Sequence, residues 1–464
     1  MTLTGAELDF APLVAGLRAT HAEGTTRPLG WRVDQLKGLL RLLEEGEPEL
    51  LAALAADVGK PRVEGWSSDL AVASAEVRYS LSHLKRWSRP RRVRLPLLAF
   101  PGRGAVHPEP LGVALVIAPW NYPVQLLLIP MAAALAAGNC VVGKPSELAP
   151  ATSAALARLV PRYLDPTGAA IVEGGAAETT ALLEQRFDHI FFTGNATVGR
   201  VVARAAAEHL TPVTLELGGK SPVLVDADAD LEVAARRIAW GKWLNAGQSC
   251  VAPDHVLVHA RVVDELTERI GAATRDFYGA DPRVSPDYGR IVNDRHFERL
   301  AALADDGGHR IVLGGQRDAG ERYLAPTVVD RVAEGAAVMA DEVFGPILPI
   351  LPVADIDDAI SRVAGHDKPL ALYAFTRSAA TAARIVERTS SGGVCLNGTM
   401  LQFAIPNLPF GGVGASGFGS YHGRAGFDTF SHHKPVLAKA GRPDFNPAYP
   451  PMTGRKEKLL RRLL

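Results

Sequence analysis

Residues 112–146 read GVALVIAPWNYPVQLLLIPMAAALAAGNCVVGKPS. The first part, GVALVIAP, is a short apolar run rich in β-branched residues, which is the composition of a strand buried on both faces. YPVQLLLIPMAAALAAG is longer, apolar and closed by a glycine, as helices often are. NCVVGKPS repeats the strand signal and ends in a turn. The alternation continues downstream. ATSAALARLVPRYL (151–164) predicts a helix, AAIVEGG (169–175) and FDHIFFTG (187–194) predict strands, and ATVGRVVARAAAEHL (196–210) predicts a helix. Strands and helices alternating at this spacing imply a parallel sheet covered on both faces. Such sheets bind ligands beyond the carboxyl ends of their strands. APWNYP, GKPSE and TGNATVG are therefore expected along one crevice.

Upstream, residues 32–60 (RVDQLKGLLRLLEEGEPELLAALAADVGK) carry apolar residues three and four apart with charges between them, a helical pattern, and the first 90 residues share it. Residues 91–112, RRVRLPLLAFPGRGAVHPEPLG, are rich in Pro and Gly and read as an extended excursion or hairpin. A second α/β unit opens near PVTLELGGKSPVLVD and runs to LPFGGVGASGFGSYHG. The end of the chain is rich in Pro and basic residues.

The totals set limits. In 464 residues, 47% are hydrophobic and 22% charged, the balance of a globular protein of two or three domains. Lys+Arg and Asp+Glu are both 50, so bulk affinity for nucleic acid is not expected. Cys140, Cys250 and Cys395 are far apart and form no CxxC pair, which argues against a disulfide framework or a zinc site and fits a reducing, cytoplasmic setting. The start, MTLTGAELDFAPLVAGLRATHAEG, lacks a basic segment followed by an apolar one, so no leader is expected. The most apolar run, 124–142, is broken by Gln125, Pro130 and Asn139 and falls short of the about 20 residues of a membrane span.

Several residues could carry chemistry. Cys250 lies in NAGQSCVAP among turn residues, where a thiol could be exposed and act as a nucleophile toward carbonyls. The alternative is a packed, inert thiol. Cys140 and Cys395 sit in apolar runs and are expected to be structural. Glu216 ends the strand-like VTLEL before Gly218–Gly219 and could serve as a general base, or merely start a loop. The Asn121 amide could donate to a developing oxyanion, or could be a turn residue. Gly194 and Gly199 flank a strand-to-helix turn whose N–H groups could hold a pyrophosphate. Lys144, at the matching edge of another strand, could bind ribose or phosphate, or be a solvated turn lysine.

Taken together, PWNYP, GKPSE, FFTGNATVG, LELGGKSP, GQSC, DEVFGP and LPFGGVGASGFGSYHG occur in the order found in the aldehyde dehydrogenase superfamily. The chain resembles in particular its class 3 branch, which includes dimeric and fatty-aldehyde enzymes. RRIAWGKWLNAGQSCVAPDHVLV and GSYHGRAGFDTFSHHKPVL carry that closer likeness.

The resemblance implies an α/β fold with a Rossmann-type NAD(P)-binding domain over 1–90 and 109–215. It implies an α/β catalytic domain over 216–412, a small β bridging and oligomerisation element over 91–108 and 413–440, and a tail over 441–464. Cys250 would form a thiohemiacetal and then a thioester with the aldehyde. Asn121 and the Cys250 N–H would form the oxyanion hole, and Glu216 would activate the hydrolytic water. Trp120, Lys144, Gly194, Gly199, Glu342 and Phe344 would meet the cofactor. Tyr122, Phe410 and His422 would line the aldehyde channel, His422 having the alternative of supporting the dimer hairpin. The cofactor implied is NAD, favoured over NADP by Glu147 near the ribose position, with NADP left open. No metal is implied.

A homodimer and an apolar aldehyde substrate are also implied. The sequence departs from the family pattern at Ala196, where threonine is usual, and at Gly398, where the branch more often has an acid. In the tail, Leu459, Leu460, Leu463 and Leu464 alternate with basic residues. A short amphipathic helix there would pack on protein or make weak contact with a membrane surface. Rival readings are a coenzyme-A-acylating dehydrogenase, against which Glu216 argues, and a catalytically silent nucleotide-binding protein.

Overall fold

A computed structural model describes residues 9–442 and 448–463. The opening stretch folds as expected. Val113–Ile117 and Cys140–Lys144 are adjacent parallel strands, joined by the helix Gln125–Ala137. Every residue of that helix is buried, which explains its unbroken apolar sequence. Gly138 ends it at φ +93°, and a Cβ there would lie 2.7 Å from the Arg32 guanidinium.

Around this unit lies a six-stranded sheet. Its order is Gly417–Phe418, Val213–Glu216, His189–Thr193, Val113–Ile117, Cys140–Lys144, Ala169–Ile171. All neighbours are parallel except Gly417–Phe418, which runs against Val213–Glu216. From Val113–Ile117 the chain builds outward to Ala169–Ile171 and then returns to His189–Thr193 on the other side. The strand order therefore reverses between Val113–Ile117 and His189–Thr193, where a ligand crevice opens in such sheets.

A second sheet of seven strands has the order Arg310–Leu313, Thr327–Asp330, Ile347–Val353, His255–His259, Pro222–Val225, Ala371–Phe375, Gly393–Leu396. It is parallel apart from its first pair. It encloses its own apolar core, with Trp243, Tyr373 and Phe375 among the buried residues.

The third sheet joins Arg91–Val93, Gly102–Pro110 and Ser431–Lys439. Its long pair is in register from Ser431↔Pro110 to Lys439↔Gly102. The element is smaller at one end than the bridge expected over 91–108 and 413–440. Gly417–Phe418 is an edge of the six-stranded sheet, and the helix Gly423–Thr429 packs on the helices Val72–Trp87 and Gln125–Ala137. Glu216 ends a strand of the six-stranded sheet, so the passage to the second unit falls after it rather than before. The helix Gly454–Leu463 carries the tail and has no buried residue. Leu464, and residues 1–8 on which the reading of the chain start partly rests, lie outside the described residues. Among the described residues no helix is long and apolar enough to cross a membrane.

Candidate active site

Four sequence-predicted residues lie at the carboxyl ends of six-stranded-sheet strands. Asn121 follows Val113–Ile117, Lys144 ends Cys140–Lys144, Gly194 follows His189–Thr193, and Glu216 ends Val213–Glu216. The peptide N–H of Gly194 donates to the Glu216 carbonyl at 3.0 Å, which ties the glycine turn to the carboxylate. APWNYP, GKPSE and TGNATVG thus share one edge of the sheet.

Cys250 approaches from the second sheet. The helix Leu231–Trp243 ends, and the chain makes a turn in which Asn245, Ala246 and Gly247 have φ of 53°, 51° and 74°. Two consecutive non-glycine residues in the left-handed region cost roughly 1–2 kcal/mol each, so the surroundings must hold this turn. Several contacts do so. The Asn245 side chain donates to the Asn121 and Gln248 carbonyls at 2.9 and 3.1 Å. The Gln248 amide donates to the Arg290 carbonyl at 2.9 Å, and its oxygen accepts from the Val292 N–H at 3.0 Å. A Cβ on Gly247 would come within 2.3 Å of the Gly345 carbonyl, so the turn requires glycine there. Cys250 emerges partly exposed, while Cys140 is buried in its strand and Cys395 is partly exposed on the edge strand Gly393–Leu396.

Asn121 faces this loop. Its amide donates to the Gln248 carbonyl at 3.1 Å, two residues before the thiol. The Glu216 side chain is buried, and among the described residues neither carboxylate oxygen has a hydrogen-bond partner. Burial pushes its pKa well above the usual carboxylate value. Burial also raises the Cys250 thiol, and the carboxylates of Glu342 and Glu216 add to the effect. The resting thiol is therefore protonated and stands in the field of two acids.

Glu342 and Phe344 precede the strand Ile347–Val353. A Cβ on Gly218 would lie 2.2 Å from a Glu342 carboxylate oxygen, so a bare backbone admits the acid beside the Glu216 strand end. Burial pushes the Glu342 pKa up to about 8. Phe344, at φ 45°, stands edge-on to Trp120 with centroids 5.5 Å apart. His296 meets the same indole at 5.5 Å. Lys144 is buried, with its ammonium 3.3 Å from Glu147, and burial lowers its pKa. The turn at Gly194 has no room for a side chain, since a Cβ there would sit 2.6 Å from the Phe192 ring. Asn195 caps the helix Ala196–Glu208 through the Val198 N–H. A bare glycine turn at a helix start, a lysine at a strand end two places along the same edge and a carboxylate across the crevice fit a dinucleotide.

Tyr122 is buried beside Ser249. Phe410 bridges to Tyr421 through backbone hydrogen bonds of 2.9 and 2.8 Å, and its ring is edge-on to Tyr421 and His422. His422 is buried, and its Nδ1 lies 3.0 Å from a Glu76 carboxylate oxygen. Glu76, Glu64, Lys60 and Asp69 were not singled out in the sequence. Glu64, Asp69 and Glu76 come from helical stretches and Lys60 from the loop before Arg62–Gly65, all of which read as ordinary scaffold, and most of their partners lie tens to hundreds of residues away. Among the described residues no cluster of His, Cys, Asp and Glu could hold a metal ion.

With this geometry established, comparison with known proteins is decisive. Residues 12–436 match the profile of the Aldehyde dehydrogenase family. The mouse protein "Aldehyde dehydrogenase family 3 member A2" is 49% identical over 92% of this chain and 88% of its own length. The human "Aldehyde dehydrogenase family 3 member B1" is 47% identical over 96% of this chain and 95% of its own. Among solved structures, "Substrate bound state of Staphylococcus Aureus AldH" superimposes with a TM-score of 0.94 at 42% identity, covering 97% of this chain and 98% of that one. The structure titled "Crystal structure of NAD-dependent aldehyde dehydrogenase from Sinorhizobium meliloti" gives 0.85 at 30% identity, over 95% of this chain and 88% of that one. A partly exposed thiol, a buried carboxylate without partners and a glycine turn at a sheet's carboxyl edge thus sit in a chain similar to these enzymes along nearly its whole length, and the chain belongs to the aldehyde dehydrogenase family.

Proposed function

We propose that the chain oxidises apolar aldehydes to carboxylic acids with NAD as hydride acceptor, through a thioester on Cys250. The observation that carries this reading is Glu216. It is a buried carboxylate with two unpartnered oxygens and a raised pKa, acting on the same ground as the thiol. Once ionised, a carboxylate in that state is a strong base, suited to taking a proton from a water.

In this reading the Cys250 thiol loses its proton to solvent water and the sulfur attacks the aldehyde carbon. The Asn121 amide has one N–H on Gln248. Its other N–H, together with the Cys250 peptide N–H, stabilises the oxygen as it gains charge. NAD, when bound, would supply the acceptor for the hydride lost from the thiohemiacetal carbon, which leaves a thioester on Cys250. Glu216, as the carboxylate, then takes a proton from water as that water attacks the thioester and hands it to the departing sulfur, so the acid leaves with the thiol restored. Lys144 and Glu342 would hold ribose hydroxyls, the turn at Gly194 and Gly199 the pyrophosphate, and Trp120 and Phe344 would flank the ring. Glu147 beside Lys144 disfavours a 2′-phosphate, which supports NAD over NADP. Tyr122, Phe410 and His422 give the substrate side an aromatic wall, which supports an apolar aldehyde.

The same reading makes the chain a cytoplasmic homodimer, joined through the three-stranded sheet. Leu97, Phe100, Val436 and Leu437 are exposed on that element. It divides the protein into the two α/β domains named from the sequence, with the bridge between them, and leaves the tail helix to pack on protein rather than enter a membrane.

The test is an adduct experiment. A Glu216→Gln variant mixed with NAD and a medium-chain aldehyde should carry the acyl mass on the peptide containing Cys250. An acyl group on another residue, or none at all, overturns the reading.

A further inference from the structure

Behind Asn121 lies a charge cluster that the proposed chemistry does not use. Lys60 and Asp69 form an ion pair at 2.7 Å with both side chains wholly inaccessible. The Lys60 ammonium also donates to the Asn121 carbonyl at 2.9 Å and lies 4.1 Å from the centre of the Tyr122 ring. The other Asp69 oxygen accepts the N–H groups of Val124 and Gln125, each at 3.2 Å, where the helix Gln125–Ala137 begins. Asn245 donates to the same Asn121 carbonyl at 2.9 Å, and its own peptide N–H donates to Glu64 at 2.9 Å. One carbonyl thus receives a lysine from one side and the left-handed turn before Cys250 from the other. Residues 66–71, which carry Asp69, form a π-helix, a widened turn found often at functional sites.

A buried ion pair is a poor stabiliser, because desolvating two charges offsets their attraction. Asp69 by itself could cap the helix. What the lysine adds is a fixed charged donor on the peptide that carries the oxyanion amide. We infer that Lys60 is a positioning residue, holding the Asn121 peptide in register with the Cys250 loop so that the Asn121 amide and the thiol meet one carbonyl group. The inference rests on the reading of Cys250 and Asn121 given above.

Lys60→Met removes the charge at similar length and leaves Asp69 unpaired, so that variant alone confuses position with stability. Lys60→Met/Asp69→Asn is neutral, and its amide oxygen still caps Val124 and Gln125. The measurement is single-turnover NADH formation by the full chain with a saturating medium-chain aldehyde, together with NAD affinity and the melting temperature. The double variant should melt with the parent protein and bind NAD equally, while its acylation rate falls about 100-fold, the cost of a displacement near 1 Å. KM for the aldehyde should move by less than about threefold.

An acylation rate restored to the parent value makes the cluster merely structural and overturns the inference. A double variant that fails to fold overturns it as well, since the pair would then serve folding. Cys250→Ala, measured in parallel, separates the two claims: turnover retained there defeats the underlying reading, whatever the Lys60 variants do.

Discussion

From the six-stranded sheet the crevice receives strand carboxyl ends, with Asn121, Lys144, Gly194 and Glu216 on or just beyond them. From the seven-stranded sheet it receives loops that lead into strand amino ends. Cys250 precedes His255–His259, Glu342 precedes Ile347–Val353, and Gly218–Gly219 precede Pro222–Val225. The difference is electrostatic. After Asn121, Lys144 and Gly194 helices begin, and their free N–H groups favour anions, which suits a pyrophosphate. Before the loops of Cys250 and Glu342 helices have just finished. Cys250 therefore lacks the helix N-terminus that lowers thiol pKa values elsewhere. Its thiol is raised by burial and by Glu342 and Glu216, and the thioester it forms depends for hydrolysis on a base supplied by the opposite sheet.

The largest expected effect tests whether the seven-stranded side supplies the nucleophile. Cys250→Ala should lower kcat by about 10⁵-fold, as losing a nucleophile does in hydrolases with covalent intermediates. NAD affinity, which rests mainly on the other sheet and does not need the thiol, should stay within a small factor when titrated by fluorescence. Loss of both together would break the division of labour.

The base comes from the six-stranded side. Glu216→Gln should slow steady-state turnover by about 10³-fold while leaving an NADH burst. The raised pKa of Glu216 gives the pH dependence its sign. Only the carboxylate accepts a proton, so deacylation in the parent should slow as pH falls, at pH values well above the usual carboxylate range. In the variant that dependence should vanish. An unchanged profile in stopped-flow deacylation assigns the base elsewhere.

How much of this division was legible in the sequence follows from the range of each signal. The unit over 112–146 could be read because strand and helix patterns are local. Glu216 and Cys250 could be singled out only by type and turn context, and their partnership came from the order of motifs. The opposite polarity of the two sheets was not readable, because it depends on which strands become neighbours. The stretch 413–430 falls within the bridge that the family resemblance implies, and a glycine-rich run has no periodicity that could narrow it. Its two-residue strand Gly417–Phe418 is defined only by pairing with Leu215 and Glu216. Lys60 and Glu64, in KPRVEG, look like residues of a solvated helix junction. Their partners Asn121 and Asn245 lie 61 and 181 residues away.

Asn121 links the two sides, and its effect should be smaller. Asn121→Ala should lower kcat by about 10²-fold, the loss of one oxyanion donor. The KM for NAD should hold. If KM for the aldehyde rises while kcat holds, Asn121 binds the ground state and the oxyanion role fails.

The smallest effect concerns the seam itself. Glu64 on one side accepts the Asn245 N–H on the other at 2.9 Å. Burial pushes its pKa up to about 7, against the lowering pull of Lys60 and the Asn245 N–H, with Asp69 and Asp287 adding to the rise. In an unfolded chain the same carboxyl titrates near an ordinary glutamate value, about 4.3. Between those values the folded state holds more protons than the unfolded one, so this group's stabilising contribution is full below the lower value and is lost as pH rises through the upper. The loss between pH 5 and pH 7 should be about 2 kcal/mol. Glu64→Gln keeps the acceptor oxygen without the titration. Denaturant melts of parent and variant at the two pH values therefore isolate Glu64 from Glu216 and Glu342, which titrate in both proteins. A parent that loses about 2 kcal/mol more than the variant on going from pH 5 to pH 7 places a proton at the contact between the two domains. Equal losses in the two proteins would mean that Glu64 is already ionised in the folded state across that range, and the seam would carry a charge rather than a proton.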